Sequence, residues 1–147
     1  MSVADVSSGM VTSESGSADE SSRSIPIRGA LAVVLGGIVN VLLVIGAGAL
    51  EVAPGFQPLS IPSVALFSTL GAIGATVVYW LLRRYALTPD RTFVRVAAVV
   101  LVLSFVPDFA LLRSDPAATV PGVVLLMVMH VVVAAASVGL LVYCKRG

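Results

Sequence analysis

The seventeen Lys, Arg, Asp and Glu side chains of this chain are gathered into a few places, and the gaps between them govern what it can fold into. Between Arg28 and Glu51 lie 22 uncharged residues, and between Glu51 and Arg83 lie 31. Pro54, Pro58 and Pro62 interrupt the start of the second gap and leave Ser63 to Leu82 as an apolar run of 20. Val96 to Leu112 is 17 residues with one charge, Asp108, and Gly122 to Cys144 is 23 with no charge and one histidine, His130. A helix rising 1.5 Å per residue needs about 20 apolar residues to cross a hydrocarbon core of roughly 30 Å. Four segments meet that requirement, the third once its start is set at Thr92 or Phe93. The pattern predicts an all-α, four-helix transmembrane bundle with spans near 28–50, 63–84, 92–112 and 120–143. The runs are continuous and do not alternate in blocks of about ten, which sets a β-barrel aside.

Composition agrees. Only 12% of residues are charged and 58% are hydrophobic, against about 25% and about 45–50% in soluble domains. Too few charges remain to wet a globular surface, so a soluble enzyme, a disordered chain and a disulfide-stapled module are all excluded. A net charge of +1 gives no case for nucleic acid. One cysteine, Cys144, forbids an internal disulfide or a Cys-based metal cluster.

Lys and Arg set the expected orientation. With the N-terminus inside, Arg23, Arg28, Arg83, Arg84, Arg91, Arg95, Lys145 and Arg146 are cytoplasmic and only Arg113 is outside. This positive-inside asymmetry puts both termini in the cytoplasm and the protein in the cell membrane. Tyr79, Trp80, Tyr85, Phe93 and Tyr143 fall at the inner boundary, where amphipathic rings form an interfacial belt. The Arg83-Arg84 and Lys145-Arg146 pairs are mainly topogenic and would also attract anionic lipid.

Residues 1–24 differ in kind. Nine are serine, four are acidic, and the apolar ones show no period. They read as a disordered, Ser-rich cytoplasmic tail ahead of a membrane domain at 25–147. Ala47-Gly48-Ala49 resembles a signal-peptidase site, but the apolar run before it is longer than a signal core, so the first helix is read as uncleaved. Three prolines stiffen the outer connector 51–62, and its Phe56, Leu59 and Ile61 suit the bilayer surface or a cap on the bundle. Thr88-Pro89-Asp90 forms a turn and a helix start. Short links make consecutive helices antiparallel neighbours. No internal repeat and no pair of broken helices marks an inverted-repeat transporter.

Each span carries one polar or small stripe: Ala32, Gly36, Asn40 and Ala47; Thr69, Ala72 and Thr76; Ala97, Ser104 and Asp108; Met127, His130, Ala134 and Ser137. Spacings of three, four and seven hold each set on one face, and these faces should turn inward, away from lipid. The pairs Ala32/Gly36, Gly71/Ala75 and Ala135/Gly139 suit close helix contact. Counting depth from the inner boundary puts Asn40 roughly 16 Å up, Thr69 and His130 roughly 20 Å up, and Asp108 roughly 20–24 Å up depending on where the third helix starts. These four form an expected polar layer, with Ser104 one turn inward of Asp108 and Glu51 at the outer mouth. An ionised aspartate at the bilayer centre costs about 2.5–3.5 kcal/mol. A His–Asp pair, neutral or ionic, answers that cost, and Pro107 frees a helix carbonyl nearby. The layer reads first as a clasp that fixes helix register, and second as a proton-responsive or ligand-contacting site.

Other chemistry is thin. One histidine makes no multi-histidine metal site, no cofactor is implied, and no nucleophile elbow, zinc-protease or phosphate-loop motif occurs. Gly36-Gly37 and Gly46-x-Gly48 lie inside an apolar run and read as packing glycines. Cys144 sits where acylation is conceivable, though a plain boundary residue is the simpler reading.

The run Asn40-Val-Leu-Leu-Val-Ile, the segment Arg91-Thr-Phe-Val-Arg-Val with Leu103-Ser104 and Pro107, and Leu126-Met-Val-Met-His130-Val-Val-Val-Ala-Ala together resemble an uncharacterised family of small four-helix membrane proteins, a domain of unknown function. The resemblance spans about residues 28–143. It implies that Asn40, Ser104, Pro107 and His130 match the family pattern. Asp108 is not among the positions it carries, and it brings no activity or cofactor. The sequence thus supports a non-enzymatic, multi-pass membrane protein in contact with the lipid bilayer, able to form a homo-oligomer. The alternative is a small proton-linked or solute carrier that works as an oligomer through Asn40, Asp108 and His130.

Overall fold

A computed structural model describes residues 14–144, with side chains from residue 24. It contains four helices and, among the described residues, no strand: α1 (Glu14–Ala49), α2 (Ile61–Tyr85), α3 (Pro89–Ser114) and α4 (Val120–Val138), the last running on into a π turn (Gly139–Tyr143). Four segments, Ser24–Ala49, Ile61–Tyr85, Pro89–Ser114 and Val120–Tyr143, are long and apolar enough to span a bilayer. The expected spans are recovered to within a few residues. α3 starts at Pro89, where proline's fixed φ suits a first helical position and its missing N–H costs nothing.

α1 departs from expectation at its start. It begins at Glu14, so its first turns fall within the stretch expected to be a disordered tail. Acidic residues at a helix N-terminus complement its dipole, and no glycine or proline separates Ser17 from Ser24. The tail reading for residues 1–13 lies outside the described residues.

The helices form a ring in chain order. α1 packs on α2 and α4, α3 packs on α4 and more sparsely on α2, and α2 touches α4 across the middle. Two apolar plugs close the ends. At the end that carries the connector between α1 and α2, Val44, Phe56, Leu59, Val64, Val123 and Leu126 form one buried cluster with Met129. The connector therefore caps the bundle through Phe56 and Leu59, while Ile61 stays exposed. At the opposite end, beside the α2–α3 turn, Ile25, Tyr79, Phe93, Leu141 and Val142 form the other. Tyr79 and Phe93 meet edge to face at 5.0 Å and are buried, so they belong to this plug and not to an interfacial belt. Trp80, Tyr85 and Tyr143 remain exposed, with the Arg84 guanidinium 5.8 Å from the Trp80 ring. The π turn widens the end of α4, which lets the adjacent Leu141 and Val142 both face inward.

Small residues serve differently from one helix to the next. A Cβ on Gly29 would collide with the Thr76 side chain, and one on Gly36 would lie 3.8 Å from Ala136. α1 therefore approaches both neighbours along glycines. A methyl on Gly139 would meet nothing within 4 Å, and Ala135 is exposed. The Ala135/Gly139 pair thus makes no close contact, because the packed face of α4 follows Val123, Leu126, Met129 and Ser137 instead.

Candidate functional site

Between the plugs the bundle does not close. A cavity of about 780 Å³ lies among α2, α3 and α4, with Asn40 of α1 at its back. Its walls are mostly apolar. Gly71, Gly74 and Ala75 of α2, Ala97 of α3 and Ala134 of α4 line it. The Gly71/Ala75 pair, expected to draw two helices together, borders this space and also packs: a Cβ on Gly71 would lie 3.4 Å from Val133 of α4, and Ala75 rests on the Tyr79–Phe93 plug. Small side chains make room where the ring is sparsest, between α2 and α3.

Polar groups meet the cavity in two sets. In the first, Asn40 Nδ2 donates to Ser68 Oγ at 2.8 Å and to the Met129 carbonyl at 3.3 Å. One amide thus ties α1 to α2 and α4. Asn40 and Ser68 are buried, and Asn40 Oδ1 has no hydrogen-bond partner. In the second set, His130 Nδ1 lies 3.2 Å from Asp108 Oδ2 and 2.8 Å from the Leu126 carbonyl of its own helix. With Asp108 ionised both neighbours are acceptors, and the tautomer that suits them has its hydrogen on Nδ1. One hydrogen cannot point fully at two acceptors. The shorter contact goes to Leu126, and Asp108 Oδ2 is left without an aligned donor. Asp108 is 5% exposed and His130 partly exposed. The third orphan is Ser137 Oγ, in a residue 2% exposed on the same cavity.

Of the residues anticipated from sequence, Asn40, Ser104, Asp108 and His130 all border the cavity. Ser104 donates to the Leu101 carbonyl at 2.7 Å and so turns back on its own helix. Thr69 does the same with Ala65 at 2.7 Å and does not border the cavity; Ser68 takes the place expected of it. The buried face of α2 runs Val64, Ser68, Ala72, Tyr79. Extending that period of four back from Ala72 would have found Ser68. Glu51 is exposed in the turn after α1 and is not part of the cavity wall, so it guards no mouth of this space. Pro107 continues α3, leaves the Leu103 carbonyl without a helical donor and stands on the cavity rim. Among the described residues no group of three His, Cys, Asp or Glu could hold a metal ion.

A family model described as a family of unknown function, DUF6069, matches residues 20–146. The chain belongs to that family, and its four long apolar helices mark it as a membrane protein. No curated protein and no solved structure matches it.

Proposed function

We propose that this member of DUF6069 is a non-enzymatic binding protein of the cell membrane, whose bundle holds a ligand cavity within the bilayer. In this reading Asn40, Ser68 and the Met129 carbonyl are a structural clasp, and Asp108 with His130 forms the ligand-contacting wall. The observation that carries it is the cavity itself. A bundle built only for packing would fill about 780 Å³ at interior density, whereas this one leaves it open beside Gly71, Gly74, Ala75, Ala97 and Ala134. The non-enzymatic part rests on Ser104, whose hydroxyl is committed to Leu101, so His130 has no serine poised beside it as a nucleophile.

The test uses the full chain in lipid nanodiscs and a photoactivatable alkane carrying a diazirine. Saturable labelling of residues on the α2 and α3 walls, abolished by Gly74→Leu, supports the reading. Labelling spread evenly over the outer apolar surface and indifferent to Gly74→Leu overturns it. Orientation is tested separately, by thiol labelling of cysteines placed at positions 57, 88 and 118 in a Cys144→Ser background. With both termini cytoplasmic, position 88 reacts only from inside; reaction from outside reverses the topology.

A second reading, a proton-linked or solute carrier working as a homo-oligomer, is favoured by the placement of Asp108 and His130 on one cavity. The two apolar plugs oppose it, since they interrupt any watery path at both ends. Flux in proteoliposomes that vanishes in His130→Ala while Ser104→Ala retains it would establish the carrier; absence of flux from a properly assembled protein removes it.

A further inference from the structure

Resting on the reading of the cavity as a binding site, we infer that its ligand is a membrane lipid with an apolar body and a neutral hydroxyl head, which enters sideways between α2 and α3.

The route follows from the rim. Phe67 and Leu70 on α2 and Val100 on α3 border the cavity and are at the same time more than half exposed, at 68%, 55% and 58%. Leu70 and Val100 lie near the middle of their spans and Phe67 about 9 Å in from the end of its own, so the gap between them faces hydrocarbon. The end plugs bar access from water: Phe56 and Leu59 are 3% and 8% exposed, and Tyr79 and Phe93 are 1% and 2%. An occupant therefore comes from the bilayer.

The head group follows from the orphan atoms. Asn40 Oδ1 is an acceptor with no partner, Asp108 Oδ2 faces only the His130 hydrogen that it shares with the Leu126 carbonyl, and Ser137 Oγ can accept or donate. Each belongs to a residue at least nine-tenths buried on this one cavity. Buried polar atoms are nearly always paired, so this set points to a missing donor. A hydroxyl supplies one; an ester, ketone or ether does not. A phosphate or carboxylate would bring more acceptors to a site whose wall includes no Lys or Arg. An ammonium would bring a full charge into the bilayer interior, which is costly, beside a carboxylate that His130 already faces. A hydroxyl carries one hydrogen, so it satisfies one of these acceptors, Asp108 Oδ2, without adding charge.

The experiment compares three diazirine probes of equal chain length in nanodiscs: a long-chain alcohol, its methyl ether and the corresponding fatty acid. The expected result is saturable labelling of the α2 and α3 walls by the alcohol at concentrations about tenfold lower than the ether requires, the difference made by one hydrogen bond. Asp108→Leu should erase the alcohol's advantage. It leaves no orphan donor, since His130 Nδ1 keeps its bond to Leu126. Gly74→Leu should block all three probes; a Cβ there meets nothing within 4 Å, so that variant keeps the fold, as an unchanged melting profile would verify. Equal labelling by alcohol and ether, or stronger labelling by the acid, with Gly74→Leu still blocking, overturns the hydroxyl assignment and leaves the binding cavity standing. Labelling that ignores Gly74→Leu overturns both.

Discussion

His130 faces Asp108 across the α3–α4 contact with Nδ1 3.2 Å from Oδ2, yet its hydrogen is drawn to the Leu126 carbonyl at 2.8 Å. The carboxylate therefore depends on the histidine more than the histidine depends on it. Removing His130 takes away the one donor facing a buried acid. Removing Asp108 leaves the imidazole with its own-helix bond. His130→Ala should cost about 1–3 kcal/mol, and Asp108→Leu much less. In an Asp108→Leu background His130→Ala should be nearly silent. Reversible unfolding of the four proteins in mixed micelles closes the double-mutant cycle. An equal cost of His130→Ala in both backgrounds would show that the approach carries no energy.

Asn40 makes the opposite kind of contact, with both amide hydrogens spent on neighbouring helices. Interhelical hydrogen bonds within membranes average about 0.6 kcal/mol, so Asn40→Ala should cost about 1–2 kcal/mol and Ser68→Ala about half of that. The same unfolding assay checks the ratio. If Ser68→Ala costs as much as Asn40→Ala, the Met129 carbonyl contributes nothing and the clasp joins only α1 and α2.

These two contacts also show how far the sequence can be read. The uncharged gaps locate all four spans, because in lipid every backbone group must bond within its own helix and length alone decides the crossing. Asn40, Asp108 and His130 are legible because an amide, an acid and an imidazole have few other reasons to lie mid-span. Thr69 misleads because a threonine in a helix can satisfy itself on the carbonyl four residues back, as it does on Ala65. Its position in the layer says nothing of its partner. The cavity is illegible for a related reason. Small residues such as Gly71 and Ala75 mark a close contact and an empty space in the same way. Only the placement of the facing helix distinguishes them, and α3 stands off from α2. The Gly71/Ala75 pair reads only as glue in the sequence; in α2 it packs on Val133 and on the Tyr79–Phe93 plug and borders a cavity as well.

Where glycine does act as glue, the effect should be sharp. A methyl on Gly29 would strike the Thr76 side chain, and both helices are held there by Ala32 and Ala72, each 1% exposed. Gly29→Ala should destabilise the bundle by about 1–3 kcal/mol, the range for overpacking. Thr76→Ala alone should cost little, because the Thr76 hydroxyl bonds only the Ala72 carbonyl of its own helix, at 2.8 Å. The double variant should recover part of the loss. A double variant no better than Gly29→Ala would place the strain elsewhere.

The C-terminal end of α1 offers a gain instead of a loss. Val52 N–H reaches the Ala47 carbonyl at 3.1 Å and Glu51 N–H reaches that of Gly48 at 3.2 Å. These two bonds define a helix stop that requires a left-handed residue at its end. Here that residue is Glu51, with φ 48°. A side chain in this conformation costs roughly 1–2 kcal/mol, while glycine adds about 0.4–1 kcal/mol of freedom to the unfolded chain. Glu51→Gly should therefore stabilise the protein by up to about 1 kcal/mol. Glu51→Ala removes the same charge and keeps the strain, so it should give no gain. Gly55, with φ 79° and open space around it, supplies the converse: Gly55→Ala should lose about 1 kcal/mol from backbone alone. If Glu51→Ala gains as much as Glu51→Gly, the benefit is electrostatic and the left-handed turn is not the source of it.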